Sequence, residues 1–313
     1  MASWRRLNFF QQTQTTTGAE PGGLLASCVA RCALADGGLL VADGAGMCHV
    51  LGRDLSPRLS FAAYAGGSVL HLVRPPQSDL VLSLGRDPDG GIDRAQLRIW
   101  RVGFSLPEIG AEPPACLRSV PVFSSVPSTA TGTASGNGAE PRITCWCVAD
   151  DLSQIAIGLH DGGVLLLRTS DLLRERAPKF KPLASLSLAS MGASALTSDA
   201  SASPAPSPPV SAVHFCYSHG GHGDRTPTEL WVVMPDAVRT VSAAGLRSEA
   251  CRVLTESGGA RPQCSCVADN GQLVLGRDEA LYLYGADERG PCFAFGGAKV
   301  RCMRCMRALR RPR

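Results

Sequence analysis

The chain has 313 residues, of which 44% are hydrophobic and 19% charged, a composition that is ordinary for a globular protein with one large or two average domains. Its formal net charge is +4, but seven basic residues and no acidic ones lie from Lys299 onward, so the rest has 24 basic residues against 27 acidic ones. This balance excludes a broad basic surface for nucleic acid on the folded body. The 34 Gly and 22 Pro favour many turns over long helices.

The sequence shows no signal peptide and no membrane helix. Asn8 and Gln11 interrupt the apolar N-terminal stretch, and no apolar run reaches the roughly 18–20 residues that a membrane helix needs. Arg31 and Asp36 interrupt the best candidate, residues 24–50. Thirteen Cys would suit a secreted disulfide protein, but without an export signal we expect reduced, buried, Ala-like cysteines in a cytosolic protein.

Short apolar segments between Gly- and Asp-rich turns predict β-strands along most of the chain. The first is residues 4–10 (WRRLNFF), and three more lie within 28–51, joined by ADGG and DGAG turns. Such Asp-Gly turns are a strong hairpin signal. Residues 86–93 (RDPDGGID) are predicted to be a loop between two strands. Further strands are predicted at 69–73, 80–85, 96–100, 143–148, 154–158, 164–168, 210–217, 229–234, 237–242, 272–276 and 280–284.

Two segments lack the strand pattern. Residues 124–140 are rich in Ser, Thr, Gly and Ala, and residues 185–209 end in SASPAPSPP. Segments of this composition cannot bury enough apolar surface to fold, so both are predicted to be disordered inserts. We therefore expect one β-domain over residues 1–298 that carries two inserts, followed by a basic tail over 299–313.

The strands recur as a repeat, which is clearest between residues 145–167 and 264–284. Two Cys, an Asp and a Gly coincide when these segments are aligned: Cys145 with Cys264, Cys147 with Cys266, Asp150 with Asp269, and Gly158 with Gly276. A weaker copy at 80–100 ends in Ile-Trp, like a strand of a WD repeat. Units of a few dozen residues, each built of four strands, predict an all-β, WD40-like β-propeller.

Five repeat units are recognisable by their clearest strands, and Phe293–Phe295 is predicted to begin a sixth. The five lie at about 28–51, 69–100, 145–168, 210–242 and 264–284.

Three strings, WRRLNFF, AIGLHDGGVLLLR and LYLYGADERGPCFAFGG, resemble the N-terminal propeller of the vacuolar protein sorting-associated protein 11 family. The resemblance runs from Trp4 to about Ala298. It implies a seven-bladed propeller, of which this chain would hold five to six blades, so the propeller is expected to be incomplete. The family's α-solenoid and RING zinc domain are not in this sequence, and residues 299–313 do not resemble the family. We interpret that tail as the end of a truncated product or as a departure from the reading frame near Lys299.

The resemblance also implies a function. The family supplies a core subunit of the HOPS and CORVET tethering complexes, so the chain is expected to be a protein-interaction scaffold and not an enzyme, with no cofactor. Its partners would be other class C tethering-complex subunits. It would lie in the cytoplasm, peripheral on the late endosome or the vacuole or lysosome, and act in vesicle docking and fusion and in intracellular protein transport.

The charged string Asp287-Glu288-Arg289 is the candidate partner-contact site. Charged turn residues at the rim of a propeller can contact a partner. The alternative is a hairpin turn that is held by Gly290-Pro291 and has only a structural role.

Other candidate chemistry is weak. Cys302 and Cys305 form a CxxC, but a zinc site needs two further ligands, and no second pair follows. His160-Asp161 suggests a dyad, but it lies in a predicted turn without a nucleophile elbow. The alternatives left open are an unrelated propeller scaffold or hydrolase, which would need acidic or His residues around its channel, and nucleic-acid binding through the basic tail.

Overall fold

The computed structural model contains only β-strands among the residues it describes. These are residues 28–34, 37–75, 78–89, 92–102, 114–123, 140–168, 181–182, 208–217, 227–242, 252–255, 260–262, 264–268, 271–277, 280–285 and 289–294. The chain divides into two compact units, Met1–Ser119 and Val120–Arg313, and each is described by itself.

The first unit holds two four-stranded sheets whose strands follow one another in chain order. The first sheet consists of β1 (Cys28–Ala33), β2 (Leu39–Asp43), β3 (Met47–Leu51) and β4 (Pro57–Ala62). The second consists of β5 (Ser68–Val73), β6 (Leu80–Asp89), β7 (Ile92–Arg101) and β8 (Ala115–Pro121), the last of which continues past Ser119.

One apolar core joins the two sheets of the first unit. Leu40 of β2 and Phe61 of β4 pack in one cluster with Val69 of β5 and Trp100 of β7. The Phe61 and Trp100 rings lie 5.1 Å apart at an angle of 56°, a tilted geometry that aromatic pairs favour. Because side chains alternate between the two sides of a strand, each of the two sheets presents one apolar face to the other.

The second unit holds three sheets of the same design. The third sheet consists of β9 (Ile143–Val148), β10 (Gln154–Leu159), β11 (Val164–Arg168) and β12 (Lys181–Pro182). The fourth consists of β13 (Ala212–Tyr217), β14 (Pro227–Val233), β15 (Val238–Ser242) and β16 (Arg252–Thr255). The fifth consists of β17 (Ser265–Val267), β18 (Leu273–Arg277), β19 (Ala280–Tyr284) and β20 (Arg289–Ala294).

The fourth sheet packs between the third and the fifth, and strand β14 shows how. Leu230 and Val232 lie in one core with residues of the third sheet. Trp231 and Val233, the alternate residues, lie in another core with residues of the fifth. A strand buried on both faces has a continuous apolar sequence, which explains the run LWVV in β14.

The described residues form five four-stranded meanders in chain order, which is the design of propeller blades, so the prediction of an all-β, incomplete WD40-like propeller is confirmed. The repeat alignment is confirmed at its Cys and Gly positions, and Asp269 lies outside the described residues. Gly158 pairs with Cys145, and the Gly276 amide donates to the Cys264 carbonyl. A Cβ on Gly158 would lie 2.5 Å from the Cys145 sulfur, which explains why glycine occupies this position.

Three details of the sequence prediction are wrong. The loop predicted at residues 86–93 is wrong for 86–89 and 92–93, because β6 extends to Asp89 and β7 begins at Ile92. Phe293 does not begin a sixth sheet, because β20 pairs with β19 and completes the fifth. The fourth strands β4, β8, β12 and β16 were not predicted. The predicted strand at 4–10, residues 124–139 and 185–207 of the inserts, and the tail lie outside the described residues.

His71, on β5, makes the stability of the first unit depend on pH. Burial lowers the pKa of His71 from its usual 6.5 to about 4. Below pH 6.5 the unfolded chain therefore takes up a proton that the folded chain does not, and stability is lost as the pH falls from 6.5 towards 4. At pH 5 this loss amounts to about 2 kcal/mol.

We expect His71→Gln to flatten this dependence. Urea denaturation at pH 7 and at pH 5 measures the loss of stability in each chain. The loss should be smaller in His71→Gln than in the original chain and unchanged in His160→Gln, since His160 lies exposed in a turn. An equal loss in all three chains would show that the His71 imidazole does not contribute.

Candidate interaction surface

The predicted contact string lies where β19 turns into β20. Arg289 is the first residue of β20 and pairs with Tyr284 at the end of β19, so the string belongs to a hairpin connection. Gly290 and Pro291 lie in β20 itself and not in the turn. Asp287 and Glu288 lie outside the described residues, and the partner contact at this turn stays a prediction.

The exposed large apolar side chains among the described residues lie on outermost strands. Leu117 on β8 is 45% exposed, Val253 on β16 is 54% exposed, and Phe293 on β20 is 53% exposed. Each of these strands is the fourth of its sheet and is hydrogen-bonded on one side only. An outermost strand presents side chains and unpaired backbone groups together, which is the surface that strand-adding partners use.

An arginine positions β7 in the second sheet. The Arg98 guanidinium lies over the Tyr64 ring, 4.6 Å from its centroid. It also donates to the Asp87 carboxylate and to the Ala63 carbonyl. A planar guanidinium suits this combination of stacking and directed donation, and the result is a fixed side chain on the strand next to β8.

Strand β8 is anchored to β7 at Ser119. The Ser119 hydroxyl donates to Gln96 Oε1 at 2.8 Å and lies 3.4 Å from Arg98 Nε. The strand is therefore held near this point, while Ala115 and Leu117 remain exposed. The sequence pattern gave no sign of this anchor, because strand β8, which carries Ser119, was not predicted.

Asp43, His49 and Ser60 form a polar line across the first sheet that the sequence analysis missed. His49 Nδ1 lies 2.8 Å from the Ser60 hydroxyl, and His49 Nε2 lies 3.6 Å from the Asp43 carboxylate. In serine hydrolases the Nε2 atom faces the hydroxyl and Nδ1–H donates to the carboxylate. Here the ring is reversed, and Asp43 Oδ1 accepts from two turn amides, Ala45 and Met47. These hydrogen bonds therefore hold a turn and two paired strands together and do not have the arrangement of a catalytic triad.

His160-Asp161 lies in the turn between β10 and β11, as predicted. The Asp161 carboxylate accepts the Gly163 amide at 2.9 Å, and Gly162 has a positive φ of 85°. Asp161 thus closes its own turn, which is the usual role of an aspartate in this position.

The nine cysteines whose side chains the structure describes are free thiols. Cys48, Cys216 and Cys264 are buried, but Cys116 and Cys292 are exposed, so the expectation of buried cysteines is wrong for these two. They lie on outermost strands, which the sequence analysis had not identified. Burial raises the pKa of Cys145 to about 12, which keeps its thiol in the protonated form that neither attacks nor binds metal.

The structure shows no group of three or more His, Cys, Asp or Glu suited to a metal among the residues it describes; Cys302 and Cys305 lie outside them. Within the same part of the chain, no helix has the length and apolar character that crossing a bilayer requires.

The sequence matches a family model described as PEP5/VPS11 N-terminal over residues 4–309. This match extends to Leu309 and so includes eleven of the fifteen residues of the basic tail, which the sequence analysis had not assigned to the family. The sequence of this chain is also similar to relatives named vacuolar protein sorting-associated protein 11 homolog. The relative from Dictyostelium discoideum is 26% identical over 305 residues, which cover 97% of this chain and 27% of the relative. The relative from Homo sapiens is 28% identical over 318 residues, which cover 95% of this chain and 28% of the relative. The chain thus spans little more than a quarter of their length.

Proposed function

Because this chain belongs to the PEP5/VPS11 N-terminal family, we propose that it acts in vacuolar protein sorting as part of a tethering complex of several subunits. The observation that carries this proposal is the family match over residues 4–309. The names of the relatives from Dictyostelium discoideum and Homo sapiens support the same process.

The proposed role is that of a scaffold without bond chemistry. The sheets pack into rigid cores, and the outermost strands carry exposed Leu117, Val253 and Phe293. Rigid sheets with exposed edges can present contacts to partners at little cost in conformational entropy. The Asp43–His49–Ser60 line has the opposite ring orientation to a hydrolase, which favours the scaffold over the hydrolase alternative.

The proposed partners are the other class C subunits of HOPS- and CORVET-type complexes. The protein would act from the cytoplasm, peripheral on the late endosome or the vacuole or lysosome, in vesicle docking and fusion. The string Asp287-Glu288-Arg289 is proposed as one contact with these subunits, because it is charged and leads in the sequence directly into the outermost strand β20.

Loss of the full-length protein tests this role. When it is depleted from cells, we expect the precursor of a vacuolar or lysosomal hydrolase to accumulate, because vesicles that carry it do not dock. Re-expression of the full-length protein should restore the mature hydrolase. Normal hydrolase maturation in depleted cells would remove the sorting role, and a defect confined to total protein synthesis or secretion would point to another function.

A further inference from the structure

Three of the five outermost strands carry features that discourage the addition of another strand. Strand β12 is only Lys181–Pro182, and β16 has four residues. Strand β20 contains Pro291, and its register with β19 shifts between Tyr282 and Tyr284. Proline, short length and irregular register are the means by which natural proteins protect sheet edges.

Strand β8 is neither short nor interrupted by a proline. It has seven residues, ACLRSVP, and its only proline is the last. Ala115, Leu117 and Ser119 are exposed, so the strand is accessible along the part that lies in the first unit. Among the described strands it is hydrogen-bonded to β7 alone. An edge of this length offers enough backbone donors and acceptors to pair with an extended peptide.

The surroundings of β8 are basic. Strands β7 and β8 together carry four arginines, Arg94, Arg98, Arg101 and Arg118, and one acidic residue, Asp93. Arg98 is paired with Asp87 of β6. Arg94 and Arg101 are exposed. This excess of positive charge favours an acidic segment and disfavours a basic one.

We propose that the β8 edge, from Ala115 to Ser119, binds an acidic, extended segment of a partner protein as a fifth strand of the second sheet. Backbone hydrogen bonds to β8 would fix the segment, an apolar residue would pack on Leu117, and its carboxylates would lie near Arg94 and Arg101. The inference rests on the proposed scaffold role and adds to it a location and the chemistry of the partner.

The probe is a fluorescently labelled acetyl-EVDVEVD-amide, and the control is acetyl-KVKVKVK-amide. Anisotropy of the full chain at low salt should show saturable binding of the acidic peptide and none of the basic one. Hydrogen exchange of the original chain should slow at residues 115–119 when the acidic peptide is added. Because this measurement needs no variant, it keeps the proposal falsifiable if a substituted chain fails to fold.

Leu117→Ser removes the apolar contact of the edge without a change of charge. We expect it to weaken binding of the acidic peptide about tenfold. Val253→Ser is the matched control, since Val253 is similarly exposed on another outermost strand, and it should leave binding unchanged. Arg94→Glu with Arg101→Glu should weaken binding by a similar factor.

Equal binding of both peptides, equal loss in Leu117→Ser and Val253→Ser, or unchanged exchange at 115–119 would overturn the proposal. Competition by anionic lipid vesicles or single-stranded RNA without exchange protection of β8 would also overturn it, because the arginines would then serve a general polyanion site. If the peptide fails to bind but hydrolase maturation still depends on the protein, only the β8 inference fails and the proposed function stands.

Discussion

Gly46→Ala is expected to lower the free energy of unfolding by about 3–4 kcal/mol, as the sum of a backbone and a steric cost. Gly46 has a φ of +82°, where a side chain costs about 1–2 kcal/mol. Its Cβ would also lie 2.1 Å from the Tyr64 carbonyl oxygen. That oxygen is backbone and cannot move aside, because the Ala63 and Tyr64 amides both donate to the Gly46 carbonyl.

Gly66→Ala separates the two causes. Gly66 also has a positive φ, +73°, but its Cβ would meet nothing closer than Pro88 at 3.6 Å. It should therefore cost only about 1–2 kcal/mol, the backbone cost alone. Urea denaturation of both variants measures the difference. Equal losses of stability would mean that the close approach of Gly46 to the Tyr64 carbonyl adds no steric cost when a Cβ is introduced.

Ser83→Ala is expected to cost about 2–3 kcal/mol, because it leaves a buried donor without an acceptor. Ser83 is 0% exposed in the middle of β6. Its hydroxyl oxygen accepts the Trp100 indole N–H at 2.8 Å and lies 3.0 Å from the Tyr64 hydroxyl. The Tyr64 hydroxyl in turn donates to a backbone carbonyl, with Ser83 O at 2.9 Å and Gln96 O at 3.0 Å.

A double-mutant cycle with Trp100→Phe tests that explanation. Removing the donor and the acceptor together should cost less than the sum of the two single changes, by about 1 kcal/mol. Ser119→Ala is the matched control, since its hydroxyl bonds Gln96 at an exposed position, and it should change stability by less than about 0.5 kcal/mol. If the two single changes add up strictly, the hydrogen bond between Ser83 and Trp100 does not contribute to stability.

The first three strands of the sheets were largely predictable, and the fourth were not. Strands such as β10 and β14 are buried on both faces, so burial selects continuous apolar runs that the sequence displays. Strands β8 and β16 have one neighbour and are partly exposed, so their sequences, ACLRSVP and RVLT, carry little periodic signal. For the same reason β20 was mistaken for the beginning of a new sheet.

The surface features were the least predictable. The charge of Asp287-Glu288-Arg289 is visible in the sequence, but the exposure of Leu117 follows from its strand being last in the sheet. Ser83 interrupts the apolar run LVLSLG, and its bond to Trp100 depends on the register of β6 with β7. The Ile-Trp ending was the one sequence signal for that contact.

The central claim is that this chain serves a multi-subunit complex of vacuolar protein sorting. Affinity purification of the full-length protein from its own cells, followed by mass spectrometry and native size measurement, tests it most directly. The account predicts that other class C tethering subunits co-purify in comparable amounts, in a particle much larger than the protein alone. Recovery of the protein by itself, or with none of those subunits, would contradict it.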